Sequence, residues 1–289
     1  MSVILVTGAS GQLGNELREE SRHYPGYEFI FTDIEDLDIA DKGQVESFVK
    51  NNDPEWIINC AAYNFVDRAE EEPEKAFRIN SLSVKNLADS ILGTEKRLIH
   101  ISTDYIFDGS SNVPYNEDSQ PNPLSVYAKS KRAGEENALT HHAAMVIRTS
   151  WLYSSFGNNF VKSIIKKGAE QGFLKVVFDQ TGTPTYAADL ANAIMFIVSR
   201  VIRNQIAYNA GIYHYSNEGV CSWYDFAYEI VNLSALNCKL YPILSKEFPS
   251  VVKRPYYSVL DKTKIKENYD LEIPYWKESL GKCIKLLRN

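Results

Sequence analysis

Tyr127-Ala-Lys-Ser-Lys131 places a phenol and an ammonium four residues apart, so on a helix both project from one face. A free phenol, with a pKa near ~10, is a reluctant acid at neutral pH. A fixed ammonium beside it favours the phenolate and would draw that pKa toward the working range, which makes Tyr127 a candidate proton donor. Upstream, Ser102-Thr-Asp-Tyr105 follows an apolar run, and the Thr103 hydroxyl could hydrogen-bond a substrate carbonyl beside Tyr127. Asp104 could bind sugar hydroxyls or merely cap the turn that follows. Tyr-x-x-x-Lys also occurs on solvated helix faces, but here it follows Pro121-Asn-Pro123, a loop able to close over a site.

A second constellation opens the chain. Val3 to Val6 is an apolar, β-branched run, followed by Gly8, Gly11 and Gly14 in the order G-x-x-G-x-x-G, then by the helix-forming Asn15–Glu20. A strand running through glycines into a helix aims backbone N–H groups and the positive end of a helix dipole at one spot, which suits a pyrophosphate. Gly8 permits the tight turn, Gly11 lets phosphates approach the backbone, and Gly14 lets helix pack on strand. Asp33 lies about 20 residues on, after the apolar Phe29–Thr32, where a ribose-binding acid is expected. These features predict a dinucleotide site, and Lys131 could then hydrogen-bond the nicotinamide ribose, tying the acid to the hydride donor.

Such residues need a scaffold that brings them to one edge. Strand-like runs at Val3–Val6, Phe29–Thr32, Trp56–Asn59, Leu98–Ser102 and Met145–Arg148 alternate with helical stretches at 45–50, 75–90 and 127–140. That alternation predicts an α/β fold: a Rossmann-type, doubly wound parallel sheet, whose ligands lie beyond the carboxyl ends of the strands. After Trp151 the pattern loosens. Helices are predicted at 158–171 and 186–200, strands at 174–178 and 211–215, and Ser222-Trp-Tyr-Asp225 reads as a capping box opening a helix to about Leu233. Loops are predicted over 241–255 and a last helix over 275–287. We therefore expect a dinucleotide-binding domain over 1–150 and 183–210, with a smaller, discontinuous α/β substrate lobe over 151–182 and 211–289.

A chain of 289 residues can hold one large or two small cores. The net charge of −6, with acids and bases interspersed, argues against nucleic acid as a partner. No apolar run approaches the ~20 residues needed to span a bilayer, and no signal peptide is legible, so a cytoplasmic protein without a membrane partner is expected. Cys60, Cys221, Cys238 and Cys283 lack metal-ligand spacing and are expected as free thiols.

Further stretches sharpen the picture. Asn59-Cys-Ala-Ala-Tyr-Asn-Phe-Val-Asp-Arg-Ala-Glu70, Ser102-Thr-Asp-Tyr-Ile-Phe-Asp-Gly109, Arg148-Thr-Ser-Trp-Leu-Tyr153, Gly157-Asn-Asn-Phe160, Asp179-Gln-Thr-Gly-Thr-Pro-Thr185, Ser222–Asp225 and Arg254-Pro255 join the glycine loop and Tyr127–Lys131. The glycine spacing is that of the extended short-chain dehydrogenases/reductases. Taken together, nearly end to end, the chain resembles the dTDP-4-dehydrorhamnose reductases of L-rhamnose biosynthesis. That resemblance implies reduction, by NADH or NADPH, of the C4 ketone of a dTDP-linked deoxysugar. Tyr127 would give the proton, Lys131 would hold the ribose, and Thr103 would polarise the carbonyl. Gly11, Gln12 and Leu13 would cover the pyrophosphate, with Asp33 on the adenosine ribose, Asp38 and Ile39 by the adenine, and Ala62, Tyr63 and Asn64 along the nicotinamide half. Thr103, Asp104 and Trp151 match sugar contacts, Trp151 offering a flat face for a pyranose. Arg254 matches a basic position suited to the diphosphate. Tyr257 departs from the family, in which a smaller polar residue is usual.

Two other classes stay open on sequence. The regulatory β-subunit of methionine adenosyltransferase resembles these reductases and acts as a binding partner, and sugar-nucleotide epimerases share the same group. Dehydratases of the group carry Thr-Asp-Glu where this chain has Thr103-Asp104-Tyr105, so no dehydration is expected. Some rhamnose reductases clamp a dimer through acids around magnesium. Glu16 matches one such acid, but Ala188 stands at a second position, and Asp189 beside it would face about 100° away on a helix. No metal and a monomer or weak homodimer are expected.

Overall fold

The structure is a computed structural model and describes residues 1–288. Five strands run as the sequence leads one to expect: β1 (Val3–Thr7), β2 (Glu28–Thr32), β3 (Trp56–Asn59), β4 (Arg97–Thr103) and β5 (Ala144–Thr149). With the strand Gly211–His214 they make one six-stranded sheet. From the edge, the order is Gly211–His214, β5, β4, β3, β1, β2, and every pairing is parallel. Between β1 and β3 the chain changes direction of winding, which opens a crevice at their carboxyl ends.

Alternation along each strand explains why both faces are covered. Ile4 and Val6 of β1, with Met145 and Ile147 of β5, pack against Leu13, Leu17 and the helix Ala187–Ile202. Leu5, Val146 and Ala144 point the other way, toward Val45, Val49, Leu87 and Ala138. Successive side chains leave a strand on opposite sides, so a sheet buried on both needs an unbroken apolar run.

A second core joins Tyr153, Ile164, Leu174, Phe226, Ile230, Trp276 and Leu280 from the later part of the chain. Three expectations are corrected. Gly211–His214, placed in the smaller lobe by sequence, pairs with β5 in the main sheet, and Ile265 and Tyr269 pack into the main core as well. Lys239–Ile243 begins before the region expected as loop and runs through its first residues as a strand, parallel to Phe173–Val177, although Pro242 sits within it. Two-stranded edges tolerate a proline that a central strand would not. The helix expected over 75–90 is broken into Pro73–Phe77, a π turn at Arg78–Leu82, and Ser83–Ser90. No helix among the described residues is long and apolar enough to cross a membrane.

Candidate active site

Most of the sequence-predicted residues converge at the crevice. A cleft of ≈ 340 Å³ is lined by Gly11, Gln12, Leu13, Gly14, Ala62, Asn64, Thr103, Asp104, Tyr127, Lys131, Trp151 and Arg254, with Cys60, Tyr105 and Trp223 among its other walls. Gly8, Asp33, Asp38, Ile39 and Tyr63 lie outside that lining.

The glycine loop is built for a close-lying ligand. Gly8 has φ +67°, and a Cβ there would lie 2.6 Å from the Ala61 backbone. A Cβ on Gly14 would lie 2.5 Å from the Gly8 carbonyl and 2.6 Å from Ala9 Cα, so the first helix can pack on β1 only with glycine there. That helix, Gln12–Ser21, has Gly11 as N-cap and no side-chain cap, which leaves its first N–H groups to an incoming anion. Asp33 Oδ2 accepts from Ser10 N–H and Oδ1 from Ile34 N–H, both at 2.9 Å. Burial raises its pKa, but those backbone donors outweigh it and hold the carboxylate ionised. The donors and cradle fit a dinucleotide. Asp38 accepts from Arg78 at 2.9 Å, a pairing that sequence reasoning missed. Ile39 is buried, its carbonyl held by Asn86. Tyr63 turns its ring away, its hydroxyl donating to Glu72 at 2.7 Å, so only its neighbours Ala62 and Asn64 face the cleft.

The helix that carries Tyr127 and Lys131, Val126–Ala138, is fixed at both ends of its buried face. Ser125 Oγ accepts from Ala128 N–H, Glu70 accepts from Val126 N–H at 2.8 Å, and Glu135 pairs with Arg148, both fully buried. Asn80, in the π turn, clasps the Tyr63 peptide (2.8 and 3.1 Å) and donates to Ser130 on that helix at 2.9 Å. Its role is invisible in sequence because an unbroken helix would aim it elsewhere; π turns recur at functional sites.

Tyr127 and Lys131 do share one buried face, yet the expected lowering of the phenol is corrected. The Lys131 ammonium donates to the Ile101 carbonyl at 2.6 Å, and burial pushes the Tyr127 phenol well up, a hydrogen bond with Thr103 only partly offsetting it. Burial lowers Lys131 to about 8, against the pull of Glu135. Tyr127 therefore keeps its proton across the neutral range. The Tyr105 ring meets it edge-on at 5.9 Å, and burial pushes Tyr105 to about 12.

At the end of β4 it is Thr103, and not Asp104, that caps the turn Asp104–Ile106, accepting from Tyr105 N–H at 3.2 Å. Asp104 is left to the cleft, 2% exposed, with Oδ2 lacking any hydrogen-bond partner. Trp151 has φ +48°, and one face is already covered by Trp223, stacked at 3.6 Å and 12°. That face cannot hold a pyranose while the stack persists. Sequence marked Trp223 only as the first residue of a helix; which way it points is a tertiary fact.

Trp223 and Arg254 also line an adjoining groove of ≈ 1070 Å³ that carries Lys167, Lys175, Lys246 and Lys253. Arg254 pairs with Asp67 at 3.2 Å and leaves a buried Nε without a partner. Tyr257 packs instead against Phe107, Tyr115 and Leu260. Gln12 is tied to the lobe by Asn159 at 2.9 Å, which accounts for the Gly157–Phe160 motif. Glu16 is buried and accepts from Ser154 at 2.6 Å. Asp189, third in its helix, turns inward to Asn217 at 2.7 Å and to Ser279.

Residues 1–289 match the family described as RmlD substrate binding domain. The chain is 39% identical to the spore coat polysaccharide biosynthesis protein SpsK of Bacillus subtilis, over 99% of this chain and 98% of that one. It is 37% identical to the dTDP-4-dehydrorhamnose reductase of Aggregatibacter actinomycetemcomitans, over 97% of each. Among solved structures, a dTDP-4-dehydrorhamnose reductase of Clostridium acetobutylicum superposes with TM-score 0.92 at 41% identity, covering 99% of this chain and 100% of that one. The same enzyme of Bacillus anthracis, in complex with NADP, gives TM-score 0.92 at 37% identity with the same coverage. The chain therefore belongs to the RmlD family of NAD(P)-binding Rossmann oxidoreductases that act on nucleotide sugars.

Proposed function

We infer that this reductase converts dTDP-4-dehydro-L-rhamnose to dTDP-L-rhamnose, with Tyr127 as proton donor. The observation that carries it is the joint burial of Thr103, Tyr127 and Lys131 in a cleft walled by the glycine loop. The nicotinamide supplies the hydride. As negative charge builds on the C4 oxygen, Tyr127 Oη gives up its proton and Thr103 Oγ donates a hydrogen bond to the same oxygen. The Lys131 ammonium would hold the ribose hydroxyls and steady the phenolate left behind. Gly11, Gln12 and Leu13 receive the pyrophosphate, Asp33 the adenosine ribose, and Asp38 and Ile39 flank the adenine. Asp104 takes sugar hydroxyls, and Trp151 bounds the sugar pocket.

Arg254, with an unpartnered Nε at the junction of cleft and groove, suits the substrate diphosphate, and the neighbouring lysines suit the nucleotide. An assembled proton donor and cofactor cradle argues against a purely regulatory subunit. SpsK among the relatives keeps a different nucleotide-linked 4-ketosugar as the second reading. Incubation with NADH or NADPH and dTDP-4-dehydro-L-rhamnose, followed by identification of the sugar product, tests both. Formation of dTDP-L-rhamnose supports the first; turnover only of another ketosugar nucleotide overturns it.

A further inference from the structure

Thr103 has a single hydroxyl hydrogen and two acceptor lone pairs. It donates to Asp104 Oδ1 at 3.2 Å and accepts from Tyr105 N–H at 3.2 Å. With its hydrogen on Asp104, Thr103 has none to give a ketone. A ketone held between Tyr127 and Thr103 needs that hydrogen turned toward it.

We propose that Asp104 is a positioning residue that sets the direction of the Thr103 hydroxyl: ionised, it holds the hydrogen away from the ketone, and neutral, it releases it. This deepens the proposed ketone reduction and rests on it. Two structural facts point to Asp104 as the control. Its carboxyl is buried, so it reaches few partners, and its second oxygen, Oδ2, has none in a cleft where a substrate hydroxyl would fit. Proton transfer is balanced: a proton taken up by Asp104 lets the carboxyl donate to Thr103 Oγ, while the Thr103 hydrogen rotates to the ketone oxygen and no bond in Thr103 breaks.

The surroundings leave Asp104 as the group that titrates in the relevant range. Ser258 lies across from it, and Tyr105 and Tyr127 flank it. Burial pushes both phenols up and Cys60 to about 12, so they stay neutral below pH 8. Lys131 sits near 8, and the Arg254–Asp67 pair lies at the mouth. Burial raises Asp104 itself to about 6, with Ser258 and Thr103 pulling the other way.

The test has two arms on the full chain. In single-turnover hydride transfer from bound NADPH to the ketosugar nucleotide, the wild-type rate should fall about tenfold as pH rises through 6, a fraction of the 10²–10³ lost when an oxyanion donor is removed outright. Asp104→Asn should flatten that limb, and Thr103→Val should be slower and flat as well. A bend surviving in either variant overturns the proposal. In the second arm, without substrate, the Asp104 carboxyl is followed by NMR of ¹³C-labelled aspartate. Thr103→Val removes a donor to the ionised form, so the Asp104 titration should move up in pH; an unmoved titration overturns the coupling. Absence of wild-type turnover would instead refute the assigned reaction, and the carboxyl titration would still decide whether Asp104 and Thr103 are coupled.

Discussion

Replacing Asp104 by Asn should stabilise the protein above neutral pH, and by an amount that depends on pH in a calculable way. Burial raises the folded-state carboxyl from 3.8 to about 6. The native chain then binds this proton more tightly than the unfolded chain, so wild-type stability rises as pH falls through about 6 toward 3.8. Two pKa units correspond to about 3 kcal/mol, the cost of carrying an ionised Asp104 at about pH 8. Roughly 2 kcal/mol of that should be recovered by about pH 4.5. Asparagine keeps the shape without the charge, so urea melts of wild type and Asp104→Asn, each at both pH values, isolate the effect; acid effects common to both chains cancel. The gap in unfolding free energy should widen in favour of Asn by about 2 kcal/mol between the acid and the alkaline condition. A gap that does not change with pH would refute the burial argument. A carboxylate kept at such a cost is the kind of local destabilisation that functional sites retain.

Tyr127→Phe should lower kcat by about 10²–10⁴ while leaving NADPH affinity nearly intact, whereas Lys131→Ala should damage both; cofactor fluorescence titration alongside turnover separates them. NADH should serve at least as well as NADPH in kcat/KM, because the Asp33 carboxylate repels a 2′-phosphate. A strong NADPH preference that Arg78→Ala abolishes would show that the cation paired with Asp38 overrides it. Size-exclusion elution should be the same with and without EDTA, since Glu16 and Asp189 already have partners within the subunit. A dimer that dissociates on chelation, with activity lost, would refute this.

Much of the site was legible because it is written in local pattern. The strand–glycine–helix turn, the four-residue spacing of Tyr127 and Lys131, and the capping box at Ser222 each depend on neighbours in sequence, and each folds as read. What was missed depends on tertiary geometry. The π turn that aims Asn80 at Tyr63 and Ser130 cannot be told from a plain helix by periodicity. Trp223 reaches Trp151 only once the lobe has folded, and Arg78 reaches Asp38 across 40 positions. Lys131 was expected to tune Tyr127, but its ammonium donates to the Ile101 carbonyl, since a buried charge needs a partner. Gly211–His214 reads as a strand in sequence, yet only the register with β5 places it in the main sheet.

The most direct measurement is the fate of a labelled hydride. Purified protein is incubated with dTDP-4-dehydro-L-rhamnose and NADH or NADPH deuterated at the transferring position, and the sugar nucleotide is examined by mass spectrometry and NMR. The geometry of Thr103, Tyr127 and Lys131 beside the glycine loop predicts dTDP-L-rhamnose with deuterium at C4, and only residual product from Tyr127→Phe. An unconsumed cofactor, deuterium at another carbon, or undiminished product from Tyr127→Phe would contradict it.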